Sequence, residues 1–313
     1  MEPDLTAPAV DRIMRGLLLE YQTEPVDLLS IGDAEGEYRY VCSRRQSYVR
    51  TVIELVRALE GRSPSSVSVL EIGTFLGPVS IALAKLGFKV TATDIEEFVS
   101  CQNLRRKMDR YGIELVASNL RDHELPFGDE VFDVVVMCHV LEHLNFNPLP
   151  AIKEINRVTK LDGLLYLAVP NIARMANRVK MIRGESIHNP IQDFFAQLAP
   201  DRNMIAGLHW REYTADEVRE MTEAMGYEIA SQRYCSDDAS QGKRRGIRRI
   251  AKDMIRRLFG WRPMQSIVSR CMFDPWHDPS LAGTQITCAR KRERCTRRFY
   301  FTDATHPGMQ RRT

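Results

Sequence analysis

The sequence predicts an α/β fold, a doubly wound and mostly parallel sheet with helices on both faces. Three observations carry that reading. From Val67 onward, short apolar runs alternate with helical segments. The first apolar run passes directly into a glycine-bearing loop that Pro78 closes, and the second run ends on Asp94. In such sheets the right-handed crossovers leave the loops after the strands on one edge, where ligands bind.

Taken in order, Pro8 to Tyr21 reads as a short amphipathic helix. Arg44 to Glu60 reads as a stronger one, with Val49, Val52, Ile53, Val56 and Leu59 at helical spacing and Gly61 as its stop. Together they form a helical extension over residues 1–64. Val67–Ile72, Lys89–Thr93, Ile113–Ala117, Phe132–Cys138 and Leu164–Val169 then read as strands. Pro78–Leu86, Glu96–Tyr111 and Pro150–Thr159 read as the helices between them. The alternation lapses from Asn171 to His209, which predicts a partly helical cap or a mobile lid over residues 171–210. Thr214-Ala215-Asp216-Glu217 is a capping box opening a helix that Gly226 ends. Tyr227–Tyr234 reads as a strand, and its matching last strand, Thr284–Arg290, follows only after about fifty residues. The main domain is therefore 65–235 plus 281–291, interrupted by an insertion at 236–280. Residues 292–313 read as a frayed tail.

The composition, 44% hydrophobic and 27% charged, is that of a soluble globular protein and excludes fibrous, disordered and integral-membrane classes. No apolar run approaches the ~20 residues needed to span a bilayer. The acidic start, Met1-Glu2-Pro3-Asp4, lacks a signal-peptide pattern, so a cytoplasmic location is expected. The seven cysteines are scattered, with no Cys-x-x-Cys pair. Reduced thiols are the simplest reading, and with no metal-ligand cluster evident no metal is expected. The formal charge of +3 hides an asymmetry: residues 1–240 carry 26 basic and 36 acidic side chains, residues 241–313 carry 18 and 5.

The chemistry concentrates in Val69-Leu70-Glu71-Ile72-Gly73-Thr74-Phe75-Leu76-Gly77-Pro78. A glycine just after a strand permits a tight turn and close backbone approach to a ligand. Pro78 suits a first helical position, and the free N–H groups of that helix end favour an anionic group. Asp94, at the end of the second strand, can accept both hydroxyls of a ribose.

This combination resembles the class I S-adenosylmethionine-dependent methyltransferases. Further segments carry the likeness: Leu125-Pro126-Phe127 with Val131-Phe132-Asp133-Val134-Val135-Val136, then His139-Val140-Leu141-Glu142-His143-Leu144, Gly163-Leu164-Leu165, and Val169-Pro170-Asn171. His209-Trp210-Arg211-Glu212-Tyr213-Thr214 is similar to the entry of a late helix in methyltransferases of quinone and cell-surface polysaccharide biosynthesis. The resemblance implies a Rossmann-like, seven-stranded sheet with its last strand antiparallel. It also implies S-adenosylmethionine as cofactor. Glu71, Gly73, Thr74 and Gly77 would shape the methionine end of its pocket, Asp94 would bind the ribose with Ile95 against the adenine, Asn119 and Leu120 would approach the adenine edge, and His139 would face the methionine moiety.

Two departures from the family pattern stand out. Phe75 replaces the middle glycine, so its side chain must point away from the cofactor or alter the pocket. Asn119 stands where an aspartate is common, and its amide can still pair with the adenine amine. Each residue also has a plainer reading: Glu71 as a loop cap, Gly73 as a turn, Asp94 as a helix N-cap, Glu142 and His143 as packing and capping. For a hydroxyl acceptor a general base is needed, and His139 and His209 are the candidates. Phe194, Phe195 and Trp210 supply aromatic groups in the cap.

Within the insertion, Lys243 to Pro263 places Ile247, Ile250, Ala251, Met254, Leu258 and Phe259 at helical spacing among arginines, with Trp261 at the end. A basic amphipathic helix of this kind suits an anionic membrane surface through 243–262. Its plainer reading is an apolar face packed on the domain, and nucleic-acid contact is disfavoured by the acidic remainder. The expected activity is methyl transfer to a small-molecule or lipid-linked acceptor, with O-methylation at the inner membrane surface the specific form. The competing readings are a catalytically inactive binding scaffold of the same fold, for which Phe75 is the warning sign, and an NAD-dependent dehydrogenase. The latter would want Gly-x-Gly-x-x-Gly, which this loop lacks.

Overall fold

The computed structural model of the chain describes residues 4–28, 34–196, 207–235 and 283–296. Helices α1 (Ala7–Thr23), α2 (Ala34–Ser43) and α3 (Arg45–Ala58) precede β1 (Ser68–Ile72). Then come α4 (Pro78–Lys85), β2 (Lys89–Asp94), α5 (Glu96–Val99), α6 (Gln102–Arg110), β3 (Glu114–Ala117), β4 (Phe132–Cys138), α7 (Leu149–Val158) and β5 (Thr159–Pro170). The cap carries α8 (Met175–Ile182) and α9 (Ile191–Ala196), and α10 (Ala215–Ala224), β6 (Tyr227–Cys235) and β7 (Thr284–Lys291) complete the sheet. The strand order is β3-β2-β1-β4-β5-β7-β6, with β7 antiparallel to both neighbours. The order reverses between β1 and β4, which is where a crevice opens at the carboxyl ends of the strands.

The strict two-residue period of the strands sorts the core into two layers. Val134 and Val136 of β4, with Leu164, Tyr166 and Ala168 of β5, join α1, α3, α4 and α6 in one cluster. Their alternates Val135, Met137, Leu165, Leu167 and Val169 join α7 and α10 in the other. Both faces are thus covered, which is why these strands read as continuous apolar runs.

The structure revises three sequence expectations. The helix expected over Glu96–Tyr111 is two helices, broken at Ser100 and Cys101, where the Arg105 guanidinium donates to the freed Val99 carbonyl at 2.6 Å. The fifth strand begins at Thr159 rather than Leu164. Lys160 to Gly163 reads locally as a turn, but it enters the sheet through a register shift opposite Phe132 and Val134, with Asp162 at φ 59°. The start of the tail is pinned, not frayed. Arg292 N donates to Gly226 O at 3.0 Å, Cys295 N to Asn156 Oδ1 at 3.0 Å, and Arg294 pairs with Asp129. Residues 297–313 lie outside the described residues.

The insertion at 236–280, with its 243–262 segment, also lies outside the described residues. Its attachment is nonetheless defined. Cys235 pairs with Thr284, which pairs with Pro170 at the carboxyl end of β5. Both connections therefore leave the sheet on the edge that bears the loops after β1, β2 and β4. Among the described residues no helix is long and apolar enough to cross a membrane.

At the opposite end of the sheet, Asp133 ties the extension to the domain. It accepts from Arg62 at 2.7 Å, Lys160 at 2.8 Å, and Ser68 N at 3.0 Å. Burial alone would raise its pKa, but these donors outweigh it and hold the carboxyl well below the usual carboxylate range. Because both cations are partly exposed, Asp133→Ala should cost about 2 kcal/mol in urea unfolding. The folded pKa is the lower one, so this stability is present above about pH 4 and lost as pH falls. The variant should therefore show a shallower acid limb than the wild type.

Candidate cofactor site

The site is assembled where β1, β2, β3 and β4 end side by side. After Ile72 the chain turns at Gly73 (φ 74°), and Gly73 N and Thr74 N both donate to Thr93 O of β2, at 2.9 and 3.1 Å. A Cβ on Gly73 would stand 2.2 Å from Val140 Cγ2, and one on Gly77 (φ 79°) would stand 2.0 Å from Met108 Cε. Left-handed backbone therefore favours glycine at both positions, and at Gly73 the contact with Val140 adds to it.

Glu71 is buried beneath this loop. Its Oε2 accepts from Thr74 Oγ1 and Ser80 N, each at 3.0 Å, and from Ser80 Oγ. Ser80 is the third residue of α4, so Glu71 caps that helix from below. Burial pushes its pKa up to about 7 against the pull of these bonds.

Asp94 closes the other side. Its Oδ2 accepts from Phe75 N at 2.7 Å and its Oδ1 from Ile95 N at 2.9 Å, so the carboxylate grips the glycine loop and starts α5 together. Burial raises its pKa to about 6, opposed by those two bonds. Each oxygen retains a second lone pair, which is what two ribose hydroxyls need.

Phe75 takes the left-handed conformation a glycine would favour (φ 51°). Its ring lies edge-on to Tyr40 of α2 and Phe98 of α5, at 5.7 and 5.8 Å. Tyr21 of α1 donates to the Leu76 carbonyl. The helical extension thus braces the glycine loop from outside. Sequence reasoning missed that role, because nothing local in Tyr21 or Tyr40 signals a partner dozens of residues away.

Beyond β3, Asn119 Oδ1 accepts from Arg121 N at 3.0 Å and caps the turn that buries Leu120. Beyond β4, His139 (φ 56°) is bound by its backbone N to Ala168 O at 2.7 Å, and by Nδ1 to Glu142 Oε1 at 3.2 Å. His209 reaches the same edge from the cap. Trp210 N and Arg211 N donate to Glu142 O at 2.8 and 3.3 Å, while His209 Nδ1 pairs with Glu212 Oε1 at 3.0 Å. The rings of His209 and His143 stand 4.9 Å apart. The expected residues therefore converge on one edge. Sequence reasoning did not single out Glu212, which joins His209, Arg174 and Asn177. Its i,i+3 spacing from His209 was the available signal. Of the cap aromatics, Phe194 packs edge-on to Trp210 at 5.6 Å, and Phe195 is exposed.

The residues fit the cofactor that the resemblance implies. Ser118 Oγ, one residue past β3, and His139 Nε2 are buried with no hydrogen-bond partner among the described residues. Both flank the crevice opened by Gly73 and Asp94, as donors or acceptors awaiting a polar ligand. Under the cap lies a cleft of about 220 Å³, lined in part by Arg174, Lys180, His188, Asn189, His209 and Glu212.

Comparison with known proteins agrees with this geometry. Residues 70–167 match the family model described as a methyltransferase domain. The chain is 25% identical over 154 residues to the ubiquinone biosynthesis O-methyltransferase of Rickettsia akari, covering 49% of this chain and 60% of that protein. It is 35% identical over 96 residues to the ribosomal protein L11 methyltransferase of Staphylococcus saprophyticus, covering 28% of this chain and 30% of that protein. The chain thus spans less than two thirds of the length of either relative. Among solved structures, the S-adenosylmethionine dependent methyltransferase of Mesorhizobium loti is similar with a TM-score of 0.49 and 12% identity, over 76% of this chain and 97% of that one. Residues 70–167, which run from β1 into β5 and include the glycine loop and Asp94, are thus the part of the chain that matches a methyltransferase domain.

Proposed function

We propose that the chain binds S-adenosylmethionine and transfers its methyl group to a hydroxyl of a small-molecule or lipid-linked acceptor. The observation that carries this reading is Asp94, half-buried at the end of β2 and clamped to the glycine loop by Phe75 N, inside a segment that matches a methyltransferase domain. Glu71 and α4 set the methionine end, Asp94 and Ile95 the ribose and adenine, and Asn119 and Leu120 the adenine edge.

When bound, the sulfonium supplies an already activated methyl. The protein then has to hold the acceptor oxygen in line at near-attack distance, keep water out, and take a proton. His139 and His209 each carry a carboxylate on Nδ1, which orients the ring and leaves Nε2 to face an acceptor. Arg174, Lys180 and His188 favour an acceptor with an anionic group. A hydroxyl acceptor also accords with the Rickettsia akari relative, by name an O-methyltransferase.

Calorimetry with S-adenosylhomocysteine and with NADH tests the reading. Binding of the first alone is expected; binding of neither leaves a scaffold, and binding of NADH alone leaves a dehydrogenase. A lipid-linked acceptor is supported by the basic 243–262 segment, attached at the edge that bears the site. Vesicles containing anionic lipid should pellet the intact protein and not a version lacking 243–262. Equal pelleting of both, or of neither, would remove the membrane part.

A further inference from the structure

We propose that Glu142, His143 and His209 form a binding site for one divalent transition-metal ion, at the mouth of the acceptor cleft. One ligand-type atom from each residue lies within 4.8 Å of the others. Around an ion with bonds of about 2.0–2.2 Å, tetrahedral ligand atoms stand about 3.4 Å apart. Rotamer adjustments of about an ångström close the shell.

The tautomers are already set. His143 Nδ1 lies 2.8 Å from the Leu208 carbonyl, an acceptor only, so Nδ1 must carry the proton and Nε2 the lone pair. His209 Nδ1 faces the Glu212 carboxylate at 3.0 Å, which leaves its Nε2 free in the same way. A carbonyl or carboxylate behind each ring is the arrangement that orients metal-bound histidines.

The independent observation is Glu142. Its side chain is 1% exposed, yet Oε2 is buried with no hydrogen-bond partner among the described residues, while Oε1 faces His139 Nδ1 at 3.2 Å. A buried carboxylate so poorly satisfied is costly unless a cation compensates it. Two imidazoles and one carboxylate are a donor set suited to zinc-class ions, and three protein ligands leave a position open. The backbone builds the site as well: Trp210 N and Arg211 N on Glu142 O bring His209 to His143 across 66 residues of sequence. The sequence reading expected no metal cluster because this pairing has no local spacing to reveal it.

His209 also lines the cleft beside Glu212, so an acceptor in the cleft would lie next to the ion. Here the inference rests on the proposed methyl transfer. With His209 Nε2 taken up by the ion, an acceptor hydroxyl held there would release its proton to His139 or to water near neutral pH. Its oxygen would then bond the methyl carbon as the carbon–sulfur bond breaks onto sulfur, giving the methyl ether, a thioether and one proton. Acceptors with two adjacent oxygens, such as vicinal diols or catechols, are the chemical class such a site selects.

The test is titration of the full chain with Co²⁺ alone, followed by its visible ligand-field absorption. The expected result is one ion per chain, with binding weakened at least ~100-fold in His143→Ala and in His209→Ala. Glu212→Gln, behind the ligand, should weaken it by about 10–100-fold. Zn²⁺ should raise the melting temperature of the wild type and not that of His209→Ala, which shows that the variant is folded. Absence of a Co²⁺ spectrum, or equal binding by wild type and both alanine variants, overturns the site. Binding of S-adenosylhomocysteine, measured without metal, reads the methyl-transfer proposal separately. Co²⁺ binding without it keeps the ion site and removes the reaction; the converse removes only the ion site.

Discussion

Asp94→Ala is expected to weaken S-adenosylhomocysteine binding by about 100-fold or more. A charged acceptor contributes about 1.5–3 kcal/mol per hydrogen bond, and a ribose offers two donors to this carboxylate. The alanine also strips Phe75 N and Ile95 N of their acceptor, so part of the loss would come from a loosened loop. Asp94→Asn separates the two effects, since it keeps an oxygen acceptor and the shape. It should still lose at least ~10-fold, and wild-type affinity in this variant would remove the ribose role. The acidity gives an independent check. Burial holds Asp94 near pKa 6, so it is mostly protonated at pH 5 and ionised at pH 8. Affinity should therefore rise about tenfold across that range. Asp94→Asn should flatten the profile.

The same burial has the opposite sign for stability. Folded Asp94 and Glu71, at about 6 and about 7, bind protons more tightly than their unfolded forms. Their contribution is fully present below the unfolded carboxylate values, near 4, and is lost as pH rises toward 7. Between those limits cofactor binding and apo stability should move in opposite directions.

Gly73→Ala is expected to destabilise the fold by about 2–4 kcal/mol, through two separable costs. A φ of 74° is unfavourable for any residue with a Cβ, by about 1–2 kcal/mol. The new methyl would also meet Val140 Cγ2 at 2.2 Å, a distance at which the Val140 side chain or the turn that carries it has to shift. Urea unfolding of Gly73→Ala, Val140→Ala and the double variant separates the terms. The double variant should recover the contact cost and retain the backbone cost. If the two changes simply add, Gly73 and Val140 are not in the contact described. Because Val140 adjoins His139, the single variant should also shift the histidine past β4 and lower methyl transfer more than stability alone accounts for.

The strands were legible because their side chains alternate between two buried layers, and the glycine loop because left-handed backbone leaves few choices of residue. Asp94 and Glu71 were legible by position, at or near a strand end. Their partners were not: that Glu71 caps α4 through Ser80, and that Asp94 spans Phe75 N and Ile95 N, follows from strand register. Phe75 illustrates the difference. Its sequence position signalled a conflict with a glycine pattern, yet its backbone keeps the glycine conformation and its ring is taken up by Tyr40 and Phe98.

By itself the sequence determined the α/β class, the strand alternation, the capping box at Thr214, the sheet edge on which the candidate site residues gather and the charge contrast between the two parts of the chain. These are properties of neighbours along the chain, governed by side-chain period, backbone freedom and local caps. Only the tertiary structure decided that the first helices brace the cofactor loop, that the residues just past β7 are pinned, and that His209 meets Glu142 and His143. Those contacts join residues tens to more than a hundred positions apart. They depend on which strands pair and on what the packed helices leave exposed, quantities that no short stretch of sequence contains.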